Sequence, residues 1–520
     1  MTRRTADKLD LVADVLVIGG GPAGCWAALS ALESGAKVVL AEKGYVGTSG
    51  ATAAGNSSII NTAPSSQERE RAIAARESRG LGLVDGALVD RVLDEVYFQL
   101  DRLSVWGYGF PTIEDGSSYR GSMRGVDYLR FLRQKLIKGG ATILDQSPAT
   151  ELLMHDGAAA GARGISRIGG APWQVRAGAV VIASGGCAFL SGAIGTRNLT
   201  GDGYLMAAEA GARMSGMDFS GQYGICPVGA SVTKGIIYFW ASFFDEAGNK
   251  LEAKGDRQDI VARGLEAGRV FAILDKANAR VQSGMRGQAN IFMPFDRQGI
   301  DPFTQRFEVD LLYEGTVRGT GGLLIGDDTA TDIPGLYAAG DAASRESMAG
   351  ATSGGGGPNS SWALATGVWA GAAASKFATS LGEAHASRPA RSLANRSTGR
   401  GNDIAAVQAS IQREILPLDR SFFRTGTQLD ASAEALETSW ADALSLQEGA
   451  DYASARETLA MAATARWMFA SSRQRSESRG IHRRKDLPQT DPAQARRIVS
   501  GGLDSVWAQP QTGRAQKAAQ

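Results

Sequence analysis

Asp14-Val15-Leu16-Val17-Ile18-Gly19-Gly20-Gly21-Pro22-Ala23-Gly24 decides the fold. Val15 to Ile18 form a short apolar run of the kind found in buried parallel strands. Gly19, Gly21 and Gly24 follow in G-x-G-x-x-G spacing. Pro22 to Ser34 then reads as an alanine-rich helix ending at Gly35. Ala36 to Ala41 reads as the next strand, with Glu42 at its end, which completes a βαβ unit. Each residue type has a physical reason. Gly19 makes the tight turn, Gly21 lets backbone touch a pyrophosphate, and Gly24 lets helix and strand pack closely. The helix that opens at Pro22 and Ala23 offers free N–H groups and the positive end of its dipole. Glu42 can accept hydrogen bonds from a ribose. An ordinary strand-to-helix glycine turn is the rival reading, but the preceding strand, the following helix and the trailing Glu42 favour a nucleotide.

Outward from this unit, Gly44 to Ser58 is a loop of small residues, able to press backbone against a flat ligand. Val126 to Lys138 reads as an amphipathic helix and Ala141 to Gln146 as a strand. Ala179 to Ala183 is another buried-type strand, running into Ser184-Gly185-Gly186. Thr200-Gly201-Asp202-Gly203 opens a helix, Tyr204 to Ala210, that stops at Gly211. From about Met214 to Tyr313 the βα alternation is lost, and Tyr238, Phe239, Trp240, Phe243 and Phe244 cluster, which suggests an inserted domain. The βα character returns at Gly321 to Ile325, and Gly335 to Asp341 is a short strand meeting a glycine turn. Gly354 to Gly357 leads through Pro358-Asn359-Ser360 into an alanine-rich helix. Leu381 to Asn402 reads as a linker, Ile404 to Ser471 as helical, and the end from about Arg497 as a loose tail.

The chain has 520 residues, enough for two or three domains. A net charge of +1 with interspersed signs argues against nucleic acid as a partner. The exception, the basic stretch from Arg473 to Arg484, is taken up below. Cys25, Cys187 and Cys226 are far apart, as are His155, His385 and His482, so neither a disulfide framework nor a metal site is expected. No signal-peptide core opens the chain and no apolar run reaches membrane-span length. A soluble, cytoplasmic protein is the expectation.

These segments together resemble the flavoproteins of the fumarate reductase/succinate dehydrogenase type, a group that includes L-aspartate oxidase and the flavoprotein of adenylylsulfate reductase. The resemblance is carried by the Gly19 turn with Glu42-Lys43, the loop Gly47 to Gly55, Ala183 to Gly186, Thr200 to Gly203, Gly335 to Asp341, and Asn359-Ser360. Near the end, Ser478-Arg479-Gly480-Ile481-His482 and Asp486-Leu487-Pro488 continue it in the family's order. It implies an α/β fold: a doubly wound Rossmann-type FAD domain, an inserted α+β capping domain and a C-terminal helical domain. The implied limits are 1–213 and 316–380 for the FAD domain, 214–315 for the cap, 403–475 for the helical domain and 476–520 for a C-terminal tail.

The implied cofactor is FAD. Thr48, Ser49, Ala51 and Gly55 would lie near its pyrophosphate and isoalloxazine, Asp202 and Asp341 would bond it, and Ser360 would sit at the flavin's pyrimidine end. Lys43, Ala149, Ala183, Ser184, Gly185 and Asn359 complete the expected contacts. Taken alone, Asp202 and Asp341 each also read as helix caps. Members with covalent flavin carry a histidine in the loop after Glu42; Thr48-Ser49-Gly50 has none, so the FAD is expected to be non-covalent. The basic stretch Arg473 to Arg484 packs under the flavin domain in this family, with Arg479 and His482 in structural roles.

Departures from the family pattern bear on the substrate. The family's histidine before the Gly-Gly strand falls at about Val317, Ser353 to Pro358 lacks the carboxylate-clamping arginine, and Gln258 precedes Asp259-Ile260-Val261 with the arginine shifted to Arg257. Succinate and fumarate are therefore disfavoured. Gly224 to Ala230 and the aromatics after it look nearest the adenylylsulfate reductase branch, but that branch's arginine before Pro-Val-Gly is missing. Arg257, Arg318 and Arg345 are the candidates for substrate binding or proton transfer, since arginine's planar fork suits an oxyanion. For any one of them a solvated or ion-paired arginine is the simpler reading. The expected reaction is hydride transfer between flavin N5 and a small polar or anionic organic molecule. An oxidase or monooxygenase using O2, or a flavoprotein working with an iron–sulfur electron-transfer partner, are the alternatives, and a homo-oligomer is open.

Overall fold

The computed structural model describes residues 8–511 apart from 114–115, 234, 253–254, 395–402 and 447–450. Residues 1–7 of the polar start, 395–402 of the expected linker and 512–520 of the expected tail lie outside the described residues. β1 (Leu9–Ile18), α1 (Pro22–Glu33) and β2 (Val38–Ala41) form the βαβ unit. The chain continues through α2 (Gly50–Ala53), β3 (Asn56–Ser58), α3 (Gln67–Arg79), α4 (Gly86–Val105), β4 (Ser122–Arg124), α5 (Gly125–Lys138) and β5 (Thr142–Leu144). The hairpin β6 (Ala149–His155) and β7 (Ala158–Ile165) leads to β8 (Pro172–Ile182) and α6 (Asp202–Glu209).

β1 lies inside the main sheet and pairs in parallel with β2 on one side and β8 on the other. β1 and β8 are longer than their apolar runs predict, because their first residues, such as the exposed Leu9 and Asp10 and the half-buried Leu11, carry no continuous apolar signal. Ile18 lies opposite both Ala41 and Ile182, so three strands end at one level. That shared carboxyl edge is where open α/β sheets bind ligands.

The inserted segment carries β9 (Met214–Ser215), β10 (Tyr223–Pro227), β11 (Ser242–Phe244), α7 (Arg257–Ala267), β12 (Val270–Ile273), α8 (Ala279–Arg286), α9 (Ala289–Gln298) and β13 (Phe307–Tyr313). β10, β13, β12 and β11 form their own antiparallel sheet in that order. Two of the clustered aromatics enter its core, Tyr238 stacking on Phe243 at 6.3 Å between centroids, beside Phe295, which meets Phe307 edge-on at 4.8 Å, while Phe239 stays exposed. The chain then returns to the main layer with α10 (Gly315–Arg318), β14 (Gly322–Leu323), β15 (Leu336–Ala338), α11 (Glu346–Ala349), α12 (Gly357–Ser380) and β16 (Arg391–Ser392). β15 pairs with β8, placing Ala338 opposite Ile182 at the same carboxyl edge. α12 lies along α1 through glycine: a Cβ on Gly371 would come within 2.1 Å of the Ala27 carbonyl oxygen, and one on Gly367 within 2.5 Å of that of Ala23.

α13 (Ile404–Ile415), α14 (Leu418–Ser421), α15 (Gly426–Ser445) and α16 (Tyr452–Gln474) give the helical region. The end departs from the expectation of a loose tail. β17 (Ile498–Gly501) is buried and pairs with β9 (Val499 opposite Ser215), and β18 (Trp507–Pro510) adds to it. Ile498 and Val499 are apolar enough to seal the root of the cap, a contact that only the three-dimensional arrangement supplies.

The basic stretch also packs inward. Arg475 Nε lies 2.5 Å from Asp218 Oδ2, and Glu477 Oε1 accepts from Arg475 Nη1 at 3.0 Å and from Arg479 Nε at 2.6 Å. Arg424 Nη1 donates to His482 Nδ1 at 2.7 Å, so the ring is neutral and gives its Nε2–H to the Arg475 carbonyl. Burial, then Arg424 and Arg475, hold His482 well below the usual histidine range. Removing one member of such a buried set would strand its partners.

Beside this network Glu346 is fully buried and accepts from Ser215 Oγ, fastening α11 to β9. Burial raises its carboxyl from an ordinary 4.5 to about 7, Arg497 opposes this and Asp218 adds to it. The unfolded chain therefore releases this proton before the folded one does, and stability falls as pH rises from 4.5 to about 7. Glu346→Gln should lack that loss, so its melting temperature should gain on the parent across this window. Parallel melting-temperature curves for the two proteins would overturn the assignment.

Candidate functional site

A cavity of about 1350 Å³ opens at the carboxyl ends of β1, β2, β8 and β15 and is covered by the cap. It is larger than the roughly 300–1,000 Å³ usual for one drug-sized ligand. Gly19 to Ala23, Ala41 to Lys43, Ala183 to Gly185, Gly340-Asp341 and Gly355 to Ser360 form its floor; Gln222, Gly224, Thr233, Phe239, Asp256 to Gln258 and Glu314 face them from the cap side. The helices α1 and α12 both present their N-terminal turns, each with a proline in the first turn, to this space.

The three glycines of the turn act in three ways. Gly19 has φ +109°, and a Cβ there would sit 2.3 Å from the Ala183 carbonyl oxygen. A Cβ on Gly24 would sit 1.8 Å from the Gly19 carbonyl oxygen, so this glycine sets the approach of α1 to β1. Gly21 has φ −71° and ψ −177°, backbone that any residue adopts, and a Cβ there would meet no protein atom within 4 Å. Its bare Cα faces the cavity.

Glu42 is buried and fastens the turn: its carboxylate accepts from Gly20 N at 2.5 Å and from Gly44 N at 2.7 Å. A carboxylate has about four lone-pair sites, so two remain for hydroxyl groups in the cavity. Lys43 Nζ bonds Thr200 Oγ1 at 2.7 Å and pairs with Asp202 at 2.8 Å and Glu457 at 3.0 Å. Neither Asp202 nor Asp341 is a helix cap. The residue before α6 is Gly201, and Asp341 lies inside a short 3₁₀ turn that follows Ala339. Both carboxylates line the cavity. Burial pushes the Asp341 carboxyl up, while Arg345 and Arg318 pull it down.

Of the expected cofactor contacts, Gly19, Gly21, Pro22, Ala23, Glu42, Lys43, Ser49, Ala51, Ala149, Ala183, Ser184, Gly185, Asp202, Asp341, Asn359 and Ser360 line this one space. Gly24, Thr48 and Gly55 do not. Gly24 lies under the turn, Thr48 closes a backbone turn onto Tyr45, and the Gly55 carbonyl accepts from Gly125 N at 2.8 Å. Arg257 and Arg318 reach the cavity, but Arg345 lies behind its wall. Arg345 is fully buried, bonding Asp341 Oδ1 at 3.1 Å and the carbonyls of Thr316 and Val317 at 3.0 and 2.9 Å.

Arg257 lies over the Phe239 ring, its guanidinium carbon 3.5 Å from the centroid. Partial burial lowers its pKa and Asp256 counters this. Arg318 Nε is 3.8 Å from Glu314 Oε1, which also accepts from Thr233 Oγ1 at 2.8 Å. Glu314, Arg76 and Arg79 are cavity residues that sequence reasoning missed. Glu314 follows an ordinary alternating strand, and Arg76 and Arg79 sit in a charge-rich helix that looks solvated, so neither carried a signal. Among the described residues no histidine lines the cavity and no cluster suits a metal ion. No helix among them is long and apolar enough to cross a membrane.

Ser184 Oγ and Asn359 Oδ1 are buried on this wall without a hydrogen-bond partner. Unmet polar atoms, the open Cα of Gly21, the spare capacity of Glu42 and two helix N-termini on one elongated floor fit FAD. Gly21→Ala should fold with an unchanged apoprotein melting temperature yet lose flavin, because its methyl group occupies only cavity space. Gly24→Ala should lower the melting temperature itself. Flavin content and apoprotein melting curves check both, and a flavin-replete Gly21→Ala protein would contradict the fit.

Known proteins support the same conclusion. The FAD binding domain family model matches residues 14–227, and the fumarate reductase flavoprotein C-terminal model matches residues 414–501. An L-aspartate oxidase of Mycobacterium tuberculosis is 29% identical, over 95% of this chain and 96% of its own. One of the subunits of the fumarate reductase (CoM/CoB) of Methanothermobacter marburgensis is 27% identical, over 94% of this chain and 96% of its own. Among solved structures, quinol fumarate reductase FrdA of E. coli superposes with a TM-score of 0.82 at 20% identity, covering 98% of each chain. Adenylylsulfate reductase from Archaeoglobus fulgidus gives 0.74 at 19%, covering 97% of this chain and 96% of its own, a likeness of fold. The chain belongs to the fumarate reductase/succinate dehydrogenase flavoprotein family and is an FAD-dependent oxidoreductase.

Proposed function

We propose that this protein oxidises or reduces a small polar or anionic organic molecule held between the floor and the cap. Bound FAD supplies a hydride donor or acceptor at its N5 position. The observation that carries the reading is the two-sided wall: Asp341 and Asn359-Ser360 face Arg257, Gln258, Thr233 and Glu314 across one continuous cavity. Arg257, held over the Phe239 ring, offers its fork to an oxyanion. Arg345 acts from behind, as a positioning residue for Asp341.

Glu314 is the group assigned to move the proton. It is buried, lines the cavity, and is fixed by Thr233 with Arg318 beside it. No histidine is at hand for this role among the described residues. Val317 is buried where the family carries histidine, and Ser353 to Pro358 has no arginine, which argues against fumarate and succinate. The near full-length match to L-aspartate oxidase favours a second reading, an amino acid as substrate with O2 as electron acceptor. The match to one chain of a multi-subunit reductase favours a partner protein in that role.

Glu314→Gln should retain FAD and lose roughly 10²–10⁴-fold in turnover. Wild-type turnover in this variant would remove Glu314 from the mechanism. Anaerobic reduction followed by air separates the acceptors: fast reoxidation with peroxide release supports the oxidase reading, and slow reoxidation sinks it.

A further inference from the structure

Among the described residues five basic side chains line the cavity: Lys43, Arg76, Arg79, Arg257 and Arg318. Three have a carboxylate at hand. Lys43 pairs with Asp202 and Glu457, Arg318 stands 3.8 Å from Glu314, and Arg257 feels the charge of Asp256. Among the described residues Arg76 and Arg79 have none. Among the described residues neither makes a hydrogen bond, an ion pair or a ring contact. Among the described residues, the cavity's basic side chains without a carboxylate partner therefore sit on α3.

The two arginines are three positions apart in the last turn of α3, so they share a face. A helix C-terminus favours basic residues through its dipole, which accounts for their presence but not for their facing the cavity. Partial burial, and then the charge of Arg79, makes the Arg76 guanidinium less basic than usual. Two like charges brought to one wall repel, and a shared oxyanion would relieve the repulsion.

Their place in the cavity separates them from the pyrophosphate turn. Gly80, directly after α3, is packed so closely on Gly350 that a Cβ on the latter would lie 2.3 Å from its Cα. Gly350 leads into Thr352 to Gly357, where a Cβ on Gly355 would lie 3.0 Å from Arg318 Nη1. α3 thus ends beside the loop that opens α12, whereas the glycine turn lies at the start of α1.

We propose that Arg76 and Arg79 form an anion subsite that binds an oxyanion group, a carboxylate or a phosphate, of the substrate. This rests on the reading above that the cavity holds substrate beside FAD. The subsite restores, from a different element, the positive charge that the loop 353–358 lacks.

The test uses the FAD-loaded protein and its Arg76→Gln, Arg79→Gln and doubly substituted forms, titrated with malonate, inorganic phosphate and neutral malonamide while the flavin spectrum is followed. At least one anion should perturb the wild-type spectrum and malonamide should not. Malonate as the stronger anion marks a carboxylate subsite, phosphate a tetrahedral one. Each single substitution should weaken binding about tenfold or more, as expected for a lost charged hydrogen bond, and the double substitution should abolish it with FAD content unchanged. Wild-type protein that holds FAD but responds to neither anion, or a double variant that binds like wild type, overturns the subsite. Wild-type protein that holds no FAD overturns the preceding reading instead.

Discussion

The contact between Gly24 and the carbonyl of Gly19 leaves no room for a side chain, and much of the molecule follows from it. It seats α1 directly on the end of β1, so that the N-terminus of α1 opens at the carboxyl edge of the sheet. α12 then lies on α1 through Gly367 and Gly371, against the carbonyls of Ala23 and Ala27. Two helices are thereby held at backbone distance, and both point their positive ends into one space. Bulk at any of these glycines would push the helices apart and pull the floor from under the cavity.

A second constraint works at the other side of the floor. Asp218, Glu477, Arg475, Arg479, Arg424 and His482 come from the cap root, the helical region and the segment after it. Buried arginines of this kind are tolerated only when their donors are met, and here carboxylates and backbone carbonyls meet most of them. The network fixes where the cap is rooted, not what the cap holds, since none of its members lines the cavity.

The floor was largely legible in the sequence because its signals are local. The apolar run before Gly19, the glycine spacing and Glu42 all lie within one βαβ unit. The ambiguity of Asp202 and Asp341 as helix caps needed coordinates, since cap and ligand residues look alike one at a time. Asp156-Gly157 between β6 and β7 is a hairpin turn with positive φ at both positions, a readable signal that the sequence reading passed over. β17 was not legible, because a four-residue strand is defined by its partner β9 and not by its own pattern. Arg345 and Arg318 look equivalent in sequence. Burial behind the wall separates the first, and an open side toward the cavity marks the second.

The cap is entered along β10 and left along β13, and these two strands are neighbours, with Tyr223 opposite Tyr313. An insertion whose two ends meet closes almost no loop in the host, so it adds little entropic burden to folding the floor. The same geometry makes the cap separable in evolutionary terms. Its interior can be rebuilt for a new molecule while the strands at its neck keep their register and the floor beneath keeps its cofactor. The neck that joins cap to floor is the five-residue pairing of β10 with β13.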